Sequence, residues 1–302
     1  MADHETLGIQ VPCPPRCSPF RGEELAAESR AWIRSYGIAD PVHDYADLAF
    51  FSMPLTVSRA RMRWLCDYFQ WLLPTDDLLD RPAFLGADPV GVRRLIDGLD
   101  RVVEGGSGPW HSPYVAAFAD LWRRIVPDLS RAQAARLAGY CRDYGEGLIF
   151  MAEQRRGGRV PPFTEFLTMR RKESVGDVCL MLIEYSTGTD GTGRRGDLDE
   201  IRAVFGDYAI VTQDLLSYRK EQQDGDLLNC IDAYRLQRGC SREAAFAAVT
   251  AMERRLRDRF IELTGHSGPH PGVYADGCRL FIAGYLAWTF SAARYRETDR
   301  SA

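Results

Sequence analysis

Lysine is almost absent from this chain: Lys172 and Lys220 are the only two among 38 basic residues, the rest being arginine. Scarcity by itself dictates no chemistry, yet both fall inside the polar segments described below. Eight cysteines stand at 13, 17, 66, 141, 179, 230, 240 and 278 without a CxxC pair. The one close spacing, CPPRC, is loose, so the thiols read as buried or surface residues rather than a zinc cage. The histidines at 4, 43, 111, 266 and 270 show no HExxH spacing, and His43-Asp44 is a lone HD pair, which sets aside a histidine-metal hydrolase. No GxSxG elbow or Walker loop is present, and the lone GxGxxG match, GTGRRG at 191–196, follows a helix-patterned stretch rather than a strand. No uncharged apolar run approaches the roughly 20 residues that span a bilayer. The start, MADHETLGIQ, lacks the basic-then-apolar order of a secretory signal. The expectation is a soluble, cytoplasmic protein with reduced cysteines. A net charge of −4 disfavours nucleic acid, whose phosphates select basic faces. Period-2 stretches bounded by hairpin turns are missing too, so little strand is expected.

What is present is helical patterning over 302 residues, 45% of them hydrophobic, enough to bury a substantial core. Residues 1–20 are proline-rich (VPCPPRCSPF), and proline clashes with a preceding helical turn, so they read as an extended arm over the body. From residue 21 the apolar period is that of a helix. Segment 58–80 is one such stretch, ending in acid. Ser130 is placed to cap a long helix that stops near Arg156, before Gly157 and Gly158. Further helices are predicted at 163–187, 198–222, 241–263 and 274–297, separated by breaker-rich gaps such as GTDGTGRRG. No composition shift marks a boundary inside 21–302. The predicted fold is one all-α domain of roughly ten helices behind the arm.

Two polar segments interrupt the apolar pattern. Asp76, Asp77 and Asp80 form DDLLD after the run FQWLLPT. On a helix Asp76 and Asp80 sit on one face about a turn apart, where their like charges repel. A hard divalent cation relieves that repulsion, and magnesium favours a few carboxylates completed by water and phosphate oxygens. A solvated acidic helix end is the plainer alternative. Later, QDLLSYRKE places Gln213, Ser217 and Glu221 four residues apart, stacking them on one drifting stripe of a helix. Amide, hydroxyl and carboxylate together make an all-oxygen, hard-cation ligand set. Lys220, one position along, can reach an anion held by such a metal. A polar face of an amphipathic helix is the alternative here, and the second oxygen cluster at 76–80 weighs against it. Two such helices facing across a cavity form a site for a diphosphate and its metals.

In these residues the chain resembles a bacterial class I terpene synthase, a family with an aspartate-rich DDxxD-type motif and a later NDxxSxxxE triad. DDLLD at 76–80, QDLLSYRKE at 213–221 and GDLLN at 225–229 follow the family's order, separation and chain length. The departure is Gln213, where the family has asparagine. In MRRKESVGD the resemblance to an RxxTxG segment implies Arg171 as diphosphate sensor, Ser174 as linker and Val175 as the effector position at a helix break. Arg170 is the alternative in register. Arg294-Tyr295 resembles the family's terminal RY pair, which also grips the diphosphate. Arginine suits the task because its planar fork binds phosphate or carboxylate oxygens bidentately.

The resemblance implies an all-α class I terpenoid synthase bundle around a central cavity, with three magnesium ions. Its implied reaction ionises a linear prenyl diphosphate and cyclises the cation. Farnesyl diphosphate is the substrate expected, with ten- and twenty-carbon chains as alternatives and a homodimer left open. The implied metal ligands are Asp76, Asp80, Gln213, Ser217 and Glu221, with Arg171, Lys220, Arg294 and Tyr295 on the diphosphate. A cation needs a dry cavity with aromatic walls. Phe50, Phe51, Phe69, Phe150 and Trp288 are candidates to line it, each also suited to ordinary core. Two rivals stay open: a helical prenyltransferase, which would carry a second DDxxD where QDLLSYRKE stands, and a silent prenyl-diphosphate-binding protein.

Overall fold

The computed structural model describes residues 8–38, 45–190, 195–265 and 272–291. Among these residues the regular structure is helical, without strands. In chain order the helices are α1 (Glu23–Ser35), α2 (Ala46–Ser52), α3 (Arg59–Asp80), α4 (Pro89–Val103), α5 (Pro113–Ile125) and α6 (Arg131–Gly157). They continue with α7 (Phe163–Glu173), α8 (Gly176–Thr187), α9 (Arg195–Asp224), α10 (Cys230–Arg238), α11 (Arg242–Thr264) and α12 (Val273–Ser291). The class I terpenoid synthase-like helical bundle expected from the sequence is the architecture found.

Local chemistry sets most of the boundaries. Ser130 caps α6 by accepting from Gln133 N while Gln133 returns a bond to the Ser130 N–H, a reciprocal box that satisfies two orphan donors. Gly158, left-handed at φ 59°, ends the same helix, as glycine does at little steric cost. Helix α3 runs through Pro74, and the Thr75 hydroxyl donates to the Trp71 carbonyl beside it. The predicted helix over 163–187 is two helices. Ser174 and Val175 break it, and Val175 takes φ 52° and ψ 12°. A β-branched residue pays a steric penalty of about 1–2 kcal/mol there. The last predicted helix, 274–297, is described to Ser291; its remainder lies outside the described residues.

Helix α8 sits at the centre. Every residue from Val178 to Thr187 is buried, as befits a helix apolar on all sides. It touches α3, α6, α9 and α12, so the two polar segments are carried on walls of one bundle. Residues 8–20 form no helix; they lie on the body through Ser18 N to Phe50 O at 2.9 Å and Tyr208 Oη to Gln10 O at 3.2 Å. Two glycines allow helices to touch backbone to backbone. Gly147 of α6 admits the Glu173 main chain, and Gly284 of α12 admits Phe51 O, where a Cβ would lie 1.9 Å away.

Because that oxygen belongs to backbone and cannot swing aside, Gly284→Ala must push α12 off α2. The expected cost is about 3 kcal/mol, read as a lower urea midpoint. Unchanged stability would show that the two helices are not in such contact.

Candidate active site

The end of α3 and the middle of α9 face each other across a cavity with an open volume of about 210 Å³. Asp76, Asp77 and Asp80 stand on one wall, and Gln213, Ser217, Lys220 and Glu221 on the other. The break between α7 and α8 contributes Ser174 and Val175. Below these, Leu48, Phe69, Leu72, Phe205, Ile210 and Phe281 make an apolar floor. Of the aromatics proposed from sequence, Phe69 lines the cavity. Phe50 and Trp288 are buried in the core, Phe150 packs at its margin, and the half-buried Phe51 ring lies 5.0 Å from the Arg21 guanidinium. Phe205, Phe281 and Tyr285 are lining aromatics that the sequence did not distinguish from core.

The arginine register differs from the first expectation. Arg171 points outward, its side chain 47% exposed, and forms a two-pronged pair with Asp207, one arm at 2.9 Å. Arg170 is the one lining the cavity, with its side chain 15% exposed. It pairs with Glu173 one turn on and donates to Asp214 Oδ1 at 3.0 Å. The physical reason is helical phase: one residue of α7 turns a side chain by about 100°, so position 170 faces the cavity while 171 turns away from it to Asp207. Arg294 and Tyr295 lie outside the described residues.

Around Arg170 and Glu221 runs a supporting lattice. Asp214 accepts Arg170 on one oxygen and Cys230 N at 2.8 Å on the other. The Asn229 amide donates to Asp214 O at 2.8 Å and to Glu221 Oε2 at 2.7 Å, while its oxygen caps α10 through Ile231 N. Arg155 of α6 donates to Asp226 Oδ2 at 2.9 Å and lies 3.5 Å from Asp80 Oδ1. Neither Arg155 Nη1 nor Asp80 Oδ1 makes a hydrogen bond. The Ser217 hydroxyl donates to Gln213 O at 2.8 Å, which leaves its own lone pairs for another partner.

Residues 67–259 match the model of terpene synthase family 2, C-terminal metal binding. The chain belongs to that family. It is 27% identical over 308 residues to 10-epi-cubebol synthase of Sorangium cellulosum, covering 95% of this chain and 98% of the relative. To pristinol synthase of Streptomyces pristinaespiralis it is 27% identical over 327 residues, covering 98% and 87%. Germacradien-4-ol synthase from Streptomyces citricolor shares the fold, with a TM-score of 0.79 at 25% identity over 93% of this chain and 97% of that one. This protein is therefore a terpene synthase of the bacterial class I type, a cyclase that uses a divalent metal and acts on a prenyl diphosphate.

The residues present in this terpene synthase fit such a metal. Among the described lining residues seven are acidic and four basic, a formal excess of negative charge that would repel a diphosphate unless cations intervene. No three Asp, Glu, His or Cys side chains among the described residues converge as a ready-made cage. The oxygen donors are instead split between two walls and include an amide and a hydroxyl. Burial, and then the charge of Glu173, pushes Asp80 up to about 8. Burial and Asp214 raise Glu221 as well. Charge on Arg170 is opposed by burial, but Glu173, Asp214 and Asp80 outweigh it and raise its pKa well above the usual arginine value.

An acid with a raised folded pKa keeps its proton in the folded chain after the unfolded chain has lost it. Its contribution to stability is present below the unfolded value, 3.8 for Asp80, and is lost as pH rises toward about 8. Metal-free protein should therefore lose melting temperature between pH 5 and 8 through Asp80. Asp80→Asn, which cannot ionise, should show a shallower decline. Parallel slopes for wild type and variant would remove Asp80 from this balance.

Proposed function

We propose that the enzyme ionises farnesyl diphosphate with three magnesium ions, releasing diphosphate, and closes the resulting cation to a cyclic one that becomes a neutral terpene by losing a proton or by capturing water and then losing a proton. The observation that carries this is the meeting of DDLLD and QDLLSYRKE over an apolar, aromatic floor in one cavity. In this proposal Asp76 and Asp80 hold metal from one wall, and Gln213, Ser217 and Glu221 from the other. Magnesium bound there supplies positive charge for the departing diphosphate. Arg170, in place of Arg171, binds the diphosphate with Lys220. Lys220 reaches Asp224 at only 4.0 Å, a loose pair that an anion can displace. Ser174 and Val175 remain the linker and effector positions at the strained break. Arg294 and Tyr295 are retained as diphosphate ligands on their motif alone.

The chain's other contributions are to exclude water and to shape the cation. Phe69, Phe205 and Phe281 offer ring faces to positive charge without trapping it, and the floor around them is apolar enough to keep solvent away. Farnesyl diphosphate is favoured over the ten- and twenty-carbon chains on the family resemblance and chain length. Residues 1–20 are proposed as an arm and 21–302 as one domain, since a single buried core runs from α1 to α12. Among the described residues no helix is long and apolar enough to cross a membrane. A cytoplasmic enzyme, with a homodimer open, completes the proposal.

Incubation with geranyl, farnesyl and geranylgeranyl diphosphates, followed by gas chromatography, should give a cyclic product from the fifteen-carbon substrate. Excess EDTA should abolish it and added magnesium restore it. Turnover in excess chelator would defeat the metal requirement, and chain elongation with added isopentenyl diphosphate would favour a prenyltransferase.

Arg170→Ala should lower kcat by about 10²–10³, the usual loss when a preorganised charge contact is removed. Arg171→Ala should stay within a few-fold of wild type. The reverse ranking would return the sensor role to Arg171.

A further inference from the structure

Gln213 departs from the asparagine of the family pattern by one methylene and one further rotatable bond, so its amide oxygen has more positions to occupy. In the structure that oxygen is held from the opposite side: the Tyr285 hydroxyl of α12 donates to Gln213 Oε1. The phenol is itself fixed. Its ring lies parallel to Phe281, with centroids 6.5 Å apart and planes 8° apart, and Phe281 packs on Phe205 at 5.5 Å. The neighbouring residue, Gly284, seats α12 against the backbone of α2. Both Gln213 and Tyr285 line the cavity. A carbonyl oxygen has two lone pairs, so one can accept the phenol while the other is offered to a cation.

We propose that Tyr285 is a positioning residue for Gln213, fixing the rotamer in which the longer amide presents its oxygen to the metal. The Gln213–Tyr285 pair then does what a shorter asparagine does unaided. This inference rests on the reading of Gln213 as a metal ligand, and it makes the two residues interdependent. Loss of the hydroxyl should matter only while the glutamine is present. A partner of this kind typically changes metal affinity by about 10–100-fold when removed.

The test is a double-mutant cycle without substrate. Thermal unfolding is followed during a magnesium titration at fixed inorganic pyrophosphate, and the magnesium concentration at half-maximal shift is compared. Tyr285→Phe keeps the ring stack and should raise that midpoint by about tenfold or more. In a Gln213→Asn background the same change should move it less than about twofold, because contacts that are coupled are not additive. Gln213→Leu, with no amide oxygen, is run alongside. If Gln213→Leu raises the midpoint but Tyr285→Phe does not, positioning by Tyr285 is refuted while Gln213 stays a ligand. Equal shifts from Tyr285→Phe in both backgrounds would also overturn it, since the phenol would then act independently of position 213. If Gln213→Leu itself leaves the midpoint unmoved, the ligand role of Gln213 fails and the pairing falls with it. The cyclase reading, which the assay for product tests separately, would survive that result.

Discussion

Negative charge gathered in a place that water has partly left is the constraint around which this molecule is arranged. Asp80 and Glu221 are raised because burial penalises their charged forms and because Glu173 and Asp214 stand close by. Such an arrangement costs stability and persists only where something compensates. Part of the compensation is internal. Arg170 lies between Glu173 and Asp214, and Arg155 between Asp80 and Asp226. The remaining acidity is what divalent cations can neutralise, and their positive charge is then what admits an anionic substrate.

Order in the site follows from the same need. Asp214 and Asn229 are buried, and each makes several bonds that span α9 and α10. Through them the carboxylate of Glu221 and the guanidinium of Arg170 are held before any ligand arrives, which is the condition for electrostatic stabilisation without reorganisation. The helix break beside them is similarly fixed. Val175 sits in the left-handed region at the junction of α7 and α8, where Ser174, Val175 and Gly176 line the cavity. The apolar floor serves the opposite half of the reaction, since a carbocation survives where nucleophilic water is absent.

Much of this was legible in the chain itself. Periodicity, the Ser130 cap and the Gly158 stop marked the helices, because those signals are local and their physics is complete within a few residues. The two oxygen clusters were legible for the same reason, their spacing matching the turn of a helix. Motif order extended the inference to a family, and the family model covering residues 67–259 agrees with it.

What sequence could not resolve were choices that depend on which way a helix is rotated and what packs against it. Arg170 and Arg171 are chemically identical and adjacent, and only the packing of α7 on α9 turns one inward and leaves the other on Asp207. Phe205 and Phe281 look like any core phenylalanine until the bundle leaves space before them. Arg155 and Tyr285 join the site from segments far from the motifs they serve, at separations of 71 residues for Arg155 to Asp226 and 72 for Tyr285 to Gln213. Helix identity and ligand chemistry were thus written in local order. The direction of each side chain was decided by tertiary packing, because a rotation of about 100° per residue converts a one-residue ambiguity into opposite faces of a helix.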